Sequence, residues 1–374
     1  MRLDKLDLVR GAAALAVLLG HLRAFLFVEH SAVTTRNLLT DAFYGLTGFG
    51  HQAVVVFFVL SGFLIGGAVH ERFQANRWSF GDYALRRMTR LWLVLLPALV
   101  LTLVWDLVGG ALSGGAGYDG RFFERNHSGP SSVNPVDNGV LAFLGNVFFL
   151  QTIVAPTFGT NGPLWSLANE FWYYLMFPLG FAAVHGMTPV RGRVLCLVLL
   201  VAAGTCLPVN MLISGVMWLA GYAAYAITRS RFATLGASVP VFWGALLALG
   251  GALLWNRWRG LSGADYWIAL AFAATLPRLA ADTGGTAWWR RLARYFGNTS
   301  YTLYLFHFPF LAFLSFGVLQ GRQWQPGVAG FAVYAGVMVL TLAGSHLVWW
   351  LFERRTEEVR RGLSGWLAAR RQSA

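Results

Sequence analysis

Ten separate runs of about 20 apolar residues dominate this chain, near residues 6–28, 50–70, 91–112, 164–185, 194–208, 209–228, 239–255, 264–280, 299–319 and 327–352. A run of that length spans the hydrocarbon of a bilayer, and in lipid its backbone satisfies its own hydrogen bonds only as a helix. The expected fold is therefore all-α, a polytopic membrane helical bundle with about ten transmembrane helices. Only 12% of the residues are charged and the mean hydropathy is +0.55, against about 25% charged in ordinary soluble domains. The net charge of +13 would suggest nucleic acid in a soluble protein. Here the basic residues lie between apolar runs, so the charge reads as topology, with membrane lipids and no nucleic acid as partners.

The fifth run is short, and Pro208-Val209-Asn210 reads as a tight turn into the sixth. An eleventh stretch, 140–154, is too short for a crossing and holds Gly145, Asn146 and Gln151, which reads as a re-entrant or interfacial segment. With a cytoplasmic N-terminus and ten crossings, 22 of the 29 Lys and Arg fall on the cytoplasmic side, as the positive-inside rule requires. Counting 140–154 as a crossing would put the Arg-rich tail outside. Both termini are thus expected in the cytoplasm, with residues 1–353 forming the membrane domain and 354–374 a basic tail. No small-residue cleavage site follows the first run, which reads as a permanent helix. Cys196 and Cys206 suggest neither a disulfide framework nor a metal site.

Ionisable residues inside such runs are costly to keep and so are candidates for function. Arg10 and His21 share the first run; eleven helical steps of about 100° and about 1.5 Å place them on nearly one face, about three turns apart. The structural alternative for His21 is a packing histidine bonded to a backbone carbonyl. The second run reads Phe57-Phe58-Val59-Leu60-Ser61-Gly62-Phe63, where small residues allow close helix approach. Arg86, Arg87 and Arg90 cluster at the mouth of the third run, as a phosphate site or as topology signals. In the fourth, Ser166 and Glu170 are four apart, and Tyr173 and Tyr174 are read as continuing that side. His307 is a second histidine inside a run.

Arg10, ten residues and His21; Phe57 to Phe63; Arg87-x-x-Arg90; Leu164-Trp165-Ser166-Leu167-x-x-Glu170; and Ser300-Tyr301-x-Leu303-Tyr304-Leu305-x-His307, in this order, resemble the multi-spanning acyltransferases of acyltransferase family 3. The resemblance runs from Leu6 to about Glu353. It implies transfer of an acetyl or other short acyl group from acyl-CoA to a hydroxyl of a glycan, lipid-linked sugar or antibiotic, outside the cytoplasm. The added extracytoplasmic domain of some members is not expected, because no soluble segment exceeds about 30 residues.

On this reading Arg10, Arg87 and Arg90 hold the phosphates of cytoplasmic acyl-CoA, and the pantetheine arm carries the thioester inward. A neutral imidazole suits the general base for the incoming hydroxyl, the role expected of His21; the alternative is that His21 takes the acyl group itself. Glu170 would orient the imidazole or bind acceptor hydroxyls, with Ser166, Tyr173 and His307 lining the path. No metal and no bound cofactor are expected, and acetyl-CoA is the expected donor substrate. A proton-coupled transporter or flippase is the other class such buried charges fit, though no matching halves are seen.

Overall fold

The computed structural model describes residues 3–123, 129–131, 133, 135–186, 188–259, 263–282, 284 and 286–372. Arg2 and Arg125, two of the charges in the topology count, lie outside the described residues. All ten apolar runs lie on helices, and no strand occurs among the described residues. In chain order the main elements are α1 (Asp4–Leu26), α2 (Leu38–Leu46), and α3 (Gly50–Ser61), which continues through a π-helical turn (Gly62–Gly66) into α4 (Gly67–Gln74). Next come α5 (Phe80–Ser113), α6 (Val140–Val147), α7 (Leu164–Val184), α8 (Val190–Cys206) and α9 (Val209–Thr228). The chain ends with α10 (Val239–Arg259), α11 (Ala264–Ala281), α12 (Ala287–Ala312) with a π turn (Phe313–Val318), α13 (Val328–Leu351) and α14 (Thr356–Gln372).

Seven helical stretches, starting at Asp4, Leu38, Phe80, Val209, Val239, Ala287 and Val328, are long and apolar enough to cross a membrane. Of the ten expected crossings, α7, α8 and α11 do not meet that measure. They are helices of 21, 17 and 18 residues. α7 spends part of its length on Asn169, Glu170 and tyrosines, α8 is short, and α11 carries Asp265 and Arg278.

Residues 140–154 are not a helix of membrane length. α6 has eight residues, about 12 Å of rise. In its last turn Asn146, fully buried, donates to the Ala142 and Pro156 carbonyls at 2.8 and 2.9 Å and accepts from the Phe158 amide at 3.2 Å. The polar residues that interrupt the apolar pattern are the ones that fold the segment back on itself.

The chain forms two compact units. The first comprises residues 1–13, 51–78 and 166–297. In it α9 packs against the π turn after α3, and α11 packs on α9 and α10. The approach of α9 depends on two glycines. A Cβ at Gly62 would lie 1.8 Å from the Trp218 carbonyl oxygen, and one at Gly221 would lie 1.9 Å from that of Val59, so side chains there would force the helices apart.

The second unit comprises residues 14–50, 79–165 and 298–374. Here the latter part of α1 meets the latter part of α12 through an aromatic seam, Phe25 with Phe308 and Phe316. α5 packs against the π turn that follows α12, and α14 folds back on α5. Pro309 inside α12 has no N–H for the Leu305 carbonyl; the buried Asn161 side chain supplies one at 3.0 Å.

Candidate active site

α1 carries His21 and α12 carries His307, and the second unit brings these two rings together. His21 Nδ1 lies 2.9 Å from His307 Nε2. The rings stack at 14° with centroids 5.2 Å apart, and Phe308 meets His21 edge-on at 4.8 Å. His307 is 1% exposed and His21 half-buried. His307 Nδ1 lies 2.9 Å from the carbonyl oxygen of Leu303, one turn earlier on α12.

That carbonyl decides the protonation pattern. Opposite an acceptor-only oxygen, His307 Nδ1 carries the proton, so in a neutral ring its Nε2 is the acceptor. His21 Nδ1–H then donates to it, and His21 Nε2 is left as a lone pair. The contact to a backbone carbonyl is made by His307, and it leaves His21 Nε2 as an acceptor in the neutral pair. Expected only to line the path, His307 touches His21 directly.

In the first unit, Glu170 lies on α7 and accepts from the Tyr174 hydroxyl at 3.2 Å, one turn along the same face. The Ser61 hydroxyl reaches Tyr174 at 3.1 Å, and the Trp218 indole reaches Ser61 at 3.1 Å. Ser61 and Trp218 were not foreseen as parts of this cluster, although Ser61 lies in the small-residue motif of the second run. The Tyr173 hydroxyl donates to the Met211 carbonyl at 2.6 Å rather than to Glu170. Ser166, expected to line the path, is buried on the same helix.

The three arginines differ. Arg10 is tied into its own unit, Nε and Nη2 donating to the Gly297 carbonyl at 3.1 and 2.7 Å and Nη2 pairing with Asp7 at 3.0 Å. Arg87 lies over the Tyr83 ring at 5.8 Å. Arg90, half-buried on α5, makes no hydrogen bond or ion pair among the described residues.

Two buried carboxylates were passed over in the sequence. Asp106 is a lone acid in the run 91–112, the same signal that marks Glu170. It accepts from the Thr160 amide at 2.8 Å and its hydroxyl at 2.6 Å, beneath Gly159, whose φ of +57° and absent Cβ permit the contact. These bonds hold the turn that precedes α7. Glu353 accepts from the Thr302 hydroxyl at 2.5 Å, tying the end of α13 to α12.

The acyltransferase domain family matches residues 3–350. Acyltransferase MdmB of Streptomyces mycarofaciens is 29% identical over 210 residues, 56% of this chain and 46% of that protein, so the chain spans less than half the length of this curated relative. No solved structure matches. Since the family match takes in both histidines, Glu170 and the arginines of α5, the chain belongs to acyltransferase family 3.

Proposed function

We propose that the protein is an integral membrane O-acyltransferase of the bacterial inner membrane, with both termini cytoplasmic. It moves an acetyl or other short acyl group from acyl-CoA to a hydroxyl of a glycan, lipid-linked sugar or small-molecule glycoside. The observation that carries this reading is the His21–His307 pair, which leaves His21 Nε2 free to accept a proton. His21 Nε2 takes the hydroxyl proton of the acceptor as its oxygen attacks the thioester carbonyl. The C–S bond then breaks, an ester C–O bond has formed, and the proton passes from His21 to the departing CoA thiolate. Arg90, with Arg87, holds donor phosphate, whereas Arg10 is committed to Gly297 and Asp7, and Glu170 binds or orients the acceptor.

The test is incubation of purified protein with radiolabelled acetyl-CoA, in detergent and in membranes holding native acceptors. Donor-dependent transfer or CoA release, lost in His21→Ala, is expected. Absence of both from folded wild-type protein would overturn the reading and favour a carrier.

A further inference from the structure

Trp218, Ser61, Tyr174 and Glu170 form a hydrogen-bond chain whose direction chemistry fixes. The indole of Trp218 has one N–H and no acceptor, so at 3.1 Å it donates to Ser61 Oγ. Ser61 places its single proton on the Tyr174 hydroxyl oxygen at 3.1 Å. Tyr174 in turn donates its only proton to Glu170 Oε2 at 3.2 Å. An ionised carboxylate has no proton to pass on, so the chain ends there with every bond dipole pointing at Glu170. Aligned bonds of this kind polarise one another, most of all where water is excluded; Ser61 is 8% exposed and Trp218 1%.

The local sequence explains why the chain forms. A serine inside an apolar helix ordinarily bonds back to the carbonyl one turn earlier. Ser61 instead stands at the end of α3, where the π turn of Gly62–Gly66 changes the helical register. Gly62 next to it admits the α9 backbone at Trp218. The Ser-Gly pair therefore has two tasks, one to let α9 in and one to receive its indole.

We propose that Trp218, Ser61 and Tyr174 are positioning residues that hold Glu170 as a carboxylate in a fixed orientation. Only the consequence for acyl transfer rests on the role given to Glu170 above; the coupling along the chain does not.

The test uses the full-length protein in detergent, with ¹⁵N-labelled tryptophan indoles. The Trp218 N–H resonance is the one lost in Trp218→Phe. Tyr174→Phe and Glu170→Gln keep the shape of each side chain and neither residue bonds to the indole, yet both are expected to move the Trp218 resonance upfield. A resonance unmoved in both folded variants would overturn the proposal.

Transfer of label from acetyl-CoA in native membranes gives a second reading. Tyr174→Phe is expected to slow it by about tenfold, the scale of a lost hydrogen bond to a charged group. Adding Ser61→Ala to Tyr174→Phe should cost no further transfer, although it lowers the melting temperature by stranding the indole N–H. Losses that multiply instead would sink the chain as a functional unit. If Ser61→Ala does not fold, the near-isosteric Tyr174→Phe and Glu170→Gln still decide the case. Wild-type transfer by Glu170→Gln with a shifted Trp218 resonance would support the chain and overturn the role assigned to Glu170.

Discussion

His21 Nδ1 and His307 Nε2 meet at 2.9 Å although they lie 286 positions apart in the chain. The contact defines both tautomers, and this predicts graded effects. His21→Ala should lower transfer by about 10² or more, the usual scale of general-base catalysis. His307→Ala should be milder, about tenfold, because the base remains but its tautomer is no longer fixed. His307→Gln, whose amide oxygen can accept from His21 Nδ1–H, should recover part of that loss. Wild-type transfer rates from His307→Ala would show that the pair has no part in catalysis.

The same geometry separates the two chemical routes. Under direct transfer, protein incubated with labelled acetyl-CoA without acceptor and quenched in acid should carry no label. Label on His21 would instead establish an acyl-imidazole intermediate.

Arg90 and Arg10 should respond differently. Arg90→Ala is expected to raise the KM for acyl-CoA while the protein stays folded, and Arg90→Lys should recover only part, since lysine lacks the bidentate fork. Arg10→Ala should chiefly lower the melting temperature, because Arg10 already serves the Gly297 carbonyl and Asp7. Donor kinetics unchanged in both Arg90 variants would reduce that residue to a topology signal.

Reporter fusions after Gly115 and after Arg371 should report opposite sides of the membrane. The 22 Lys and Arg assigned to the cytoplasmic side motivate this. If the two fusions report one side, the ten-crossing count is wrong.

Gly62→Ala is expected to destabilise the fold by about 1–3 kcal/mol, the usual cost of overpacking. Its Cβ would lie 1.8 Å from the Trp218 carbonyl oxygen, so α9 must shift. Melting in detergent measures this; a melting temperature equal to that of the wild type would show that the two backbones part freely.

The sequence by itself determined that the chain is helical and built for a membrane, because an apolar run of about 20 residues satisfies its backbone in lipid only as a helix. It also narrowed the chemistry to a few side chains, since charge inside such runs is expensive. Which of those side chains act together was decided only in the tertiary structure. Helical periodicity places Glu170 and Tyr174 on one face, but it says nothing of Ser61 and Trp218 behind them. Nor does it show that Tyr173 donates to Met211, that Arg10 is bound to Gly297, or that Asp106 holds the turn before α7. The physical reason is that periodicity orients a residue on its own helix alone. Which faces of two helices meet depends on their crossing, set by residues distant in sequence, such as Gly62 against α9 and the aromatic seam that seats His21 on His307.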